Sequence, residues 1–127
     1  MTTAPLKSKQ AKKVLVVEDE GEMCLLLNIL LDGDELRLEH VNNLSAANEY
    51  IEKEQPSIVI LDNELPDGFG IDFISPIKKN YPSIKIIMIS GFDVSAKEVA
   101  LKNGADYFLA KPFTREQLYQ SIKMLLN

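Results

Sequence analysis

Val14-Leu15-Val16-Val17-Glu18-Asp19-Glu20 is an apolar run that ends in three acids. The run is too short for a helix and rich in β-branched side chains, so it reads as a strand buried on both faces. Two adjacent carboxylates at the exit of a buried strand repel each other and lose hydration, which is costly unless a cation sits between them. Asp62 ends a second apolar run, Ser57-Ile58-Val59-Ile60-Leu61, and Lys111 follows a third, Tyr107-Phe108-Leu109-Ala110. Three strand-like segments thus deliver acid, acid and base to one sheet edge, a layout suited to a magnesium-assisted phosphoryl site.

Working outward, short apolar runs alternate with stretches at helical spacing. The expected strands are Val14–Val17, Leu36–Val41 (weaker, alternating with charge), Ile58–Leu61, Ile84–Ile89 and Tyr107–Leu109. The expected helices are about 20–31, stopping at Asp32-Gly33-Asp34, then 44–54, 71–80, 95–103 and 114–126. Asn42 or Asn43 can cap the second helix, Ser95 the fourth, and Thr114 with Gln117 has capping-box spacing. Gly104 reads as a left-handed end to the fourth helix, and Pro76 predicts a late start or a kink in the third. Five strands alternating with five helices make a doubly wound α/β domain. Ligands in such sheets bind beyond the carboxyl ends of the strands, where Glu18, Asp19, Asp62, Ser90 and Lys111 all fall.

Composition narrows the class further. A chain of 127 residues suits one domain, here a tail over 1–12 with Lys7, Lys9 and Lys12 followed by a domain over 13–127. The net charge of -5 argues against direct nucleic-acid binding. The single cysteine, Cys24, excludes an internal disulfide framework and reads as a core or half-buried residue of the first helix. No apolar stretch approaches the roughly 20 residues of a membrane span, and residues 1–12 lack a secretory signal's apolar middle, so the cytoplasm is the expected location.

The motifs Val-Val-Glu-Asp-Glu at 16–20, Leu-Asp-Asn-Glu-Leu-Pro-Asp-Gly at 61–68, Met-Ile-Ser-Gly at 88–91 and Lys-Pro-Phe at 111–113 occur in this order and spacing. Together they resemble the receiver domain of two-component response regulators over about 13–127. The resemblance implies a flavodoxin-like fold, a five-stranded parallel sheet of order 2-1-3-4-5 with five helices. It implies that Asp62 accepts a phosphoryl group from a sensor histidine kinase or phosphotransfer protein. Glu18, Asp19 and Asp62, with the backbone carbonyl of Glu64, would hold Mg²⁺. Lys111 and Ser90 would bind phosphoryl oxygens, Gly91 would leave room for the group, and Phe108 would be the switch aromatic. A downstream protein target, or a fused output domain, would read the fourth helix, fifth strand and fifth helix. The domain would be a switch, not a turnover enzyme.

Departures from the pattern are Ser90 for the commoner threonine, an acid at Glu64 beside the acceptor, and Phe108 without a hydroxyl. A haloacid-dehalogenase-like phosphatase would need a second aspartate two residues past the nucleophile, where this chain has Glu64, and a flavin carrier would need a phosphate loop in place of three acids. A receiver-like module that binds partners without phosphorylation is the other alternative, and retention of the five polar residues argues against it. Glu20 reads as a first-turn acid and His40 as a strand-end residue without a ligand role. The Lys111-Pro112 bond is expected to be cis, because the lysine must turn back toward Asp62 while Phe113 and the last helix leave in another direction.

Overall fold

Every residue of Ile58–Asp62 is buried, and this strand, β3, is the centre of a five-stranded sheet. The computed structural model describes residues 12–31, 36–91 and 94–126. Around β3 the order of elements is β1 (Lys12–Val17), α1 (Gly21–Leu31), β2 (Leu36–Val41), α2 (Leu44–Glu54), then β3 itself. There follow β4 (Glu64–Leu65), β5 (Gly68–Phe69), α3 (Ile71–Asn80), β6 (Lys85–Gly91), α4 (Val94–Asn103), β7 (Tyr107–Lys111) and α5 (Arg115–Leu126). The sheet runs β2-β1-β3-β6-β7 with every pair parallel, as the flavodoxin-like reading expects.

Side-chain alternation sorts the sheet residues onto two cores. Val14, Val16, Ile58, Ile60, Ile87 and Ile89 pack against Leu27 of α1 and Leu118 and Ile122 of α5. Leu15, Val17, Val59, Leu61, Ile86 and Met88 pack against Ala47 and Ile51 of α2, Ile74 and Ile77 of α3, and Ala100 of α4. Each fully buried Leu or Ile contributes about 1.5–3 kcal/mol of transfer free energy, so the two cores fix the strand register firmly. β2, at the edge, has no buried residue, which is why its sequence alternated with charge.

Caps behave largely as read. Asn43 accepts from Ala46 N at 2.7 Å, and Thr114 and Gln117 exchange reciprocal bonds at 2.8 and 3.0 Å. Gly104 has φ +117, and a Cβ there would meet Lys78 Cγ at 2.9 Å. α3 runs Ile71–Asn80, the expected range, with Pro76 inside it, which excludes the late start of the two readings of that proline. Two expectations change. α4 begins at Val94, which puts Ser95 inside its first turn instead of ahead of it. Lys12 opens β1 and is not part of a tail. The remainder of the tail, the Asp32-Gly33-Asp34 stop and the side chain of Cys24 lie outside the described residues. A short antiparallel hairpin, β4 with β5, was not foreseen. Among the described residues, no helix is long and apolar enough to cross a membrane.

Candidate functional site

The parallel register brings the carboxyl ends of β1, β3 and β7 together. Glu18 follows β1 and is 3% exposed, Asp62 ends β3 at 7%, and Lys111 ends β7 half-buried. Lys111 Nζ lies 3.0 Å from Asp62 Oδ1 and 3.8 Å from Glu18 Oε1. Carboxylate oxygens of Glu18, Asp19 and Asp62 approach within 4.8 Å of one another, and Asp19 is the exposed member. All are hard oxygen donors, as Mg²⁺ or Ca²⁺ requires.

Electrostatics show the strain in this arrangement. Burial, then the hydrogen bond and charge of Asp62, push the Glu18 carboxyl up to about 8, and Lys111 only partly offsets them. Burial alone would lower the Lys111 ammonium, but the Asp62 hydrogen bond and the charges of Asp62, Glu18 and Glu20 outweigh it and raise the pKa. With all the carboxyls ionised, one lysine would face more negative charge than it can balance, and Glu18 is the group that holds its proton.

Ser90 ends up one residue beyond Ile89, which is Asp62's register partner on β6. Alternation carries Ser90 onto the face of Met88, whose register partner is Phe108. Phe108 is half-buried and packs against the core under α2, α3 and α4. Gly91 has open space where a Cβ would stand. Glu64 opens β4 opposite Phe69, with its side chain exposed. The Lys111-Pro112 bond is cis, as expected.

Three supporting residues escaped the sequence reading. His40 Nε2 lies 2.8 Å from the carbonyl of Glu18, and since a carbonyl only accepts, the ring nitrogen donates. His40 thereby holds the turn after β1. Asn63 Oδ1 accepts from Ile71 N at 3.0 Å. Asp67 accepts from Leu44 N and Ser45 N at 2.8 and 3.0 Å, and these two bonds hold its carboxyl below the ordinary range. The only local signal was the turn composition of Pro66-Asp67-Gly68, which says nothing about a helix two dozen residues upstream.

The sequence profile described as the response regulator receiver domain matches residues 14–123. The chain belongs to the response regulator receiver family. This receiver domain is 34% identical over 115 residues to the KDP operon transcriptional regulatory protein KdpE of Escherichia coli, covering 90% of this chain and 51% of KdpE. It is 33% identical over 114 residues to the chemotaxis protein CheY of Listeria monocytogenes, covering 87% of this chain and 95% of CheY. The chain thus spans about half the length of KdpE and nearly all of CheY. Among solved structures, the receiver domain of NtrX from Brucella abortus superposes with a TM-score of 0.83 at 28% identity, covering 89% of this chain and 97% of that one. The beryllofluoride-activated NtrC4 receiver domain dimer gives 0.84 at 34% identity, covering 89% and 94%.

Proposed function

We propose that this receiver domain takes a phosphoryl group onto Asp62 from a phosphohistidine, with Mg²⁺ as cofactor, and thereby switches a partner-binding surface. The observation that carries the reading is Lys111 Nζ at 3.0 Å from a buried Asp62 carboxylate inside a three-carboxylate cluster. In the step, an Asp62 carboxylate oxygen attacks phosphorus, the P–N bond breaks, and the imidazole leaves with its electron pair and takes up a proton. The product on the protein is a mixed acyl-phosphate. Positioning and charge neutralisation are what the chain must supply. Lys111 would meet a phosphoryl oxygen, and the Ser90 hydroxyl would donate to another. Glu18, Asp19, Asp62 and the Glu64 carbonyl would hold the cation, which when bound supplies positive charge against the phosphoryl oxygens.

The phosphodonor would be a sensor histidine kinase or phosphotransfer protein, and the reader a protein target or a fused output domain, in the cytoplasm. Phosphorylation would draw Ser90 toward the new oxygens, and Phe108, on the same sheet face, would turn into the vacated space. The surface of α4, β7 and α5 would then change. Such a switch shifts two existing packings, and the bias equals the difference in contact energy. The domain acts as a switch, without sustained turnover.

Intact mass after incubation with acetyl phosphate and Mg²⁺ tests the assignment. The wild type should gain one labile phosphoryl group and Asp62→Asn none. Continuous phosphate release without an adduct, or labelling of Asp62→Asn at the wild-type rate, would overturn it.

A further inference from the structure

We infer that Asn63 is a positioning residue for Asp62, chosen because its side chain accepts a hydrogen bond without adding charge; this rests on the acceptor reading above. The reason begins at Gly70. A Cβ on Gly70 would stand 2.2 Å from the Asp62 carbonyl oxygen, so the residue ahead of α3 must be glycine. Glycine brings no side chain to cap the helix it precedes, and Gly70 makes no side-chain cap bond. The missing acceptor comes from Asn63, whose Oδ1 takes the N–H of Ile71.

The same residue uses its backbone twice more. Asn63 N donates to Ile89 O at 3.1 Å, and Gly70 N donates to Asn63 O at 2.7 Å. One half-buried residue therefore ties the end of β3 to β6, closes the neck of the loop from 63 to 70, and anchors the start of α3. Each tie begins one peptide bond from the acceptor. Slack at Asn63 becomes displacement of the Asp62 carboxylate relative to Lys111.

Side-chain chemistry separates the alternatives. The backbone ties are open to any residue, but only the Oδ1 tie needs asparagine. Leucine has similar volume and no acceptor. Aspartate keeps the acceptor and adds a negative charge one residue from Asp62, which repels an anionic donor.

The test compares acetyl phosphate labelling rates at saturating Mg²⁺ for wild type, Asn63→Leu, Asn63→Asp and Asn43→Ala. The last removes a cap bond of the same kind from α2. Asn63→Leu should lose maximal labelling rate by about tenfold or more, since small misplacements of a reacting group are costly. Asn63→Asp should keep the maximal rate within about twofold, while the half-saturating acetyl phosphate concentration rises several-fold. Asn43→Ala should lower the melting temperature and leave both constants alone. Wild-type kinetics in Asn63→Leu, or an equal loss of maximal rate in Asn63→Asp, would overturn the inference. Should Asn63→Leu not fold, the split between maximal rate and half-saturation in Asn63→Asp decides alone. Absence of labelling in the wild type would instead overturn the acceptor reading.

Discussion

The sheet carries a lysine–aspartate pair at each end, and the two pairs are built to opposite purposes. At the amino end Lys78 Nζ meets Asp106 Oδ2 at 3.1 Å and the Ile84 carbonyl at 2.9 Å, while Asp106 Oδ2 also accepts from Ile86 N at 2.8 Å. Each charge there has one opposite charge and a backbone partner. At the carboxyl end Lys111 meets Asp62 at nearly the same distance, 3.0 Å, but a buried Glu18 and the exposed Asp19 crowd the same aspartate. Charges balanced in this way lock β6 to β7 and α3. The unbalanced set stores unfavourable energy that an incoming cation or phosphoryl group would change. Nearly equal distances thus join a balanced clasp at one end and an overcrowded acidic cluster at the other.

The largest effect should come from exchanging the two aspartates' fates. Asp106→Ala leaves the Ile86 N–H without its acceptor and the Lys78 ammonium without its counter-charge, and should cost about 2 kcal/mol in a urea melt. Asp62→Asn, in chelator, should melt no lower than wild type, because it removes one of the crowded charges while Glu18 still faces Lys111. If both substitutions destabilised equally, the two ends of the sheet would not differ in the way described.

A middle-sized effect concerns the cation. Mg²⁺ should raise the melting temperature of the wild type by relieving carboxylate repulsion, and should do so much less for Glu18→Gln. Asp106→Ala should respond to Mg²⁺ as the wild type does. A Mg²⁺ response unaltered by Glu18→Gln, read by thermal melting, would remove Glu18 from the proposed cation site.

The smallest effect is at Asp67, which belongs to neither pair. Its folded pKa lies below 3.8 because it accepts from the α2 amides, so its contribution is fully present above that unfolded value and is lost as pH falls through the folded one. The melting-temperature gap between wild type and Asp67→Asn should therefore be steady near neutrality and close in strong acid. A gap that widened on acidification would contradict the assigned bonds.

Much of this was legible in the chain. The buried parallel strands announced themselves as continuous aliphatic runs, and the topology then forced Glu18, Asp62 and Lys111 to one edge. What escaped shares a physical cause: it joins residues far apart in sequence or too few to show a period. Two-residue strands such as β4 and β5 have no periodicity to detect. Asn63 and Asp67 cap helices to which no local box connects them, and the Lys78–Asp106 clasp spans two separate elements.

The residues that converge on Asp62 are scattered from Glu18 to Lys111, in strands that are neighbours only in the finished sheet. During synthesis Asp62 leaves the ribosome well before Lys111, by several seconds at about 5–20 residues per second. A nascent or truncated chain holds the carboxylate without the site. On the proposed reading, competence to be phosphorylated would then be a certificate of completed folding, which a half-made copy lacks.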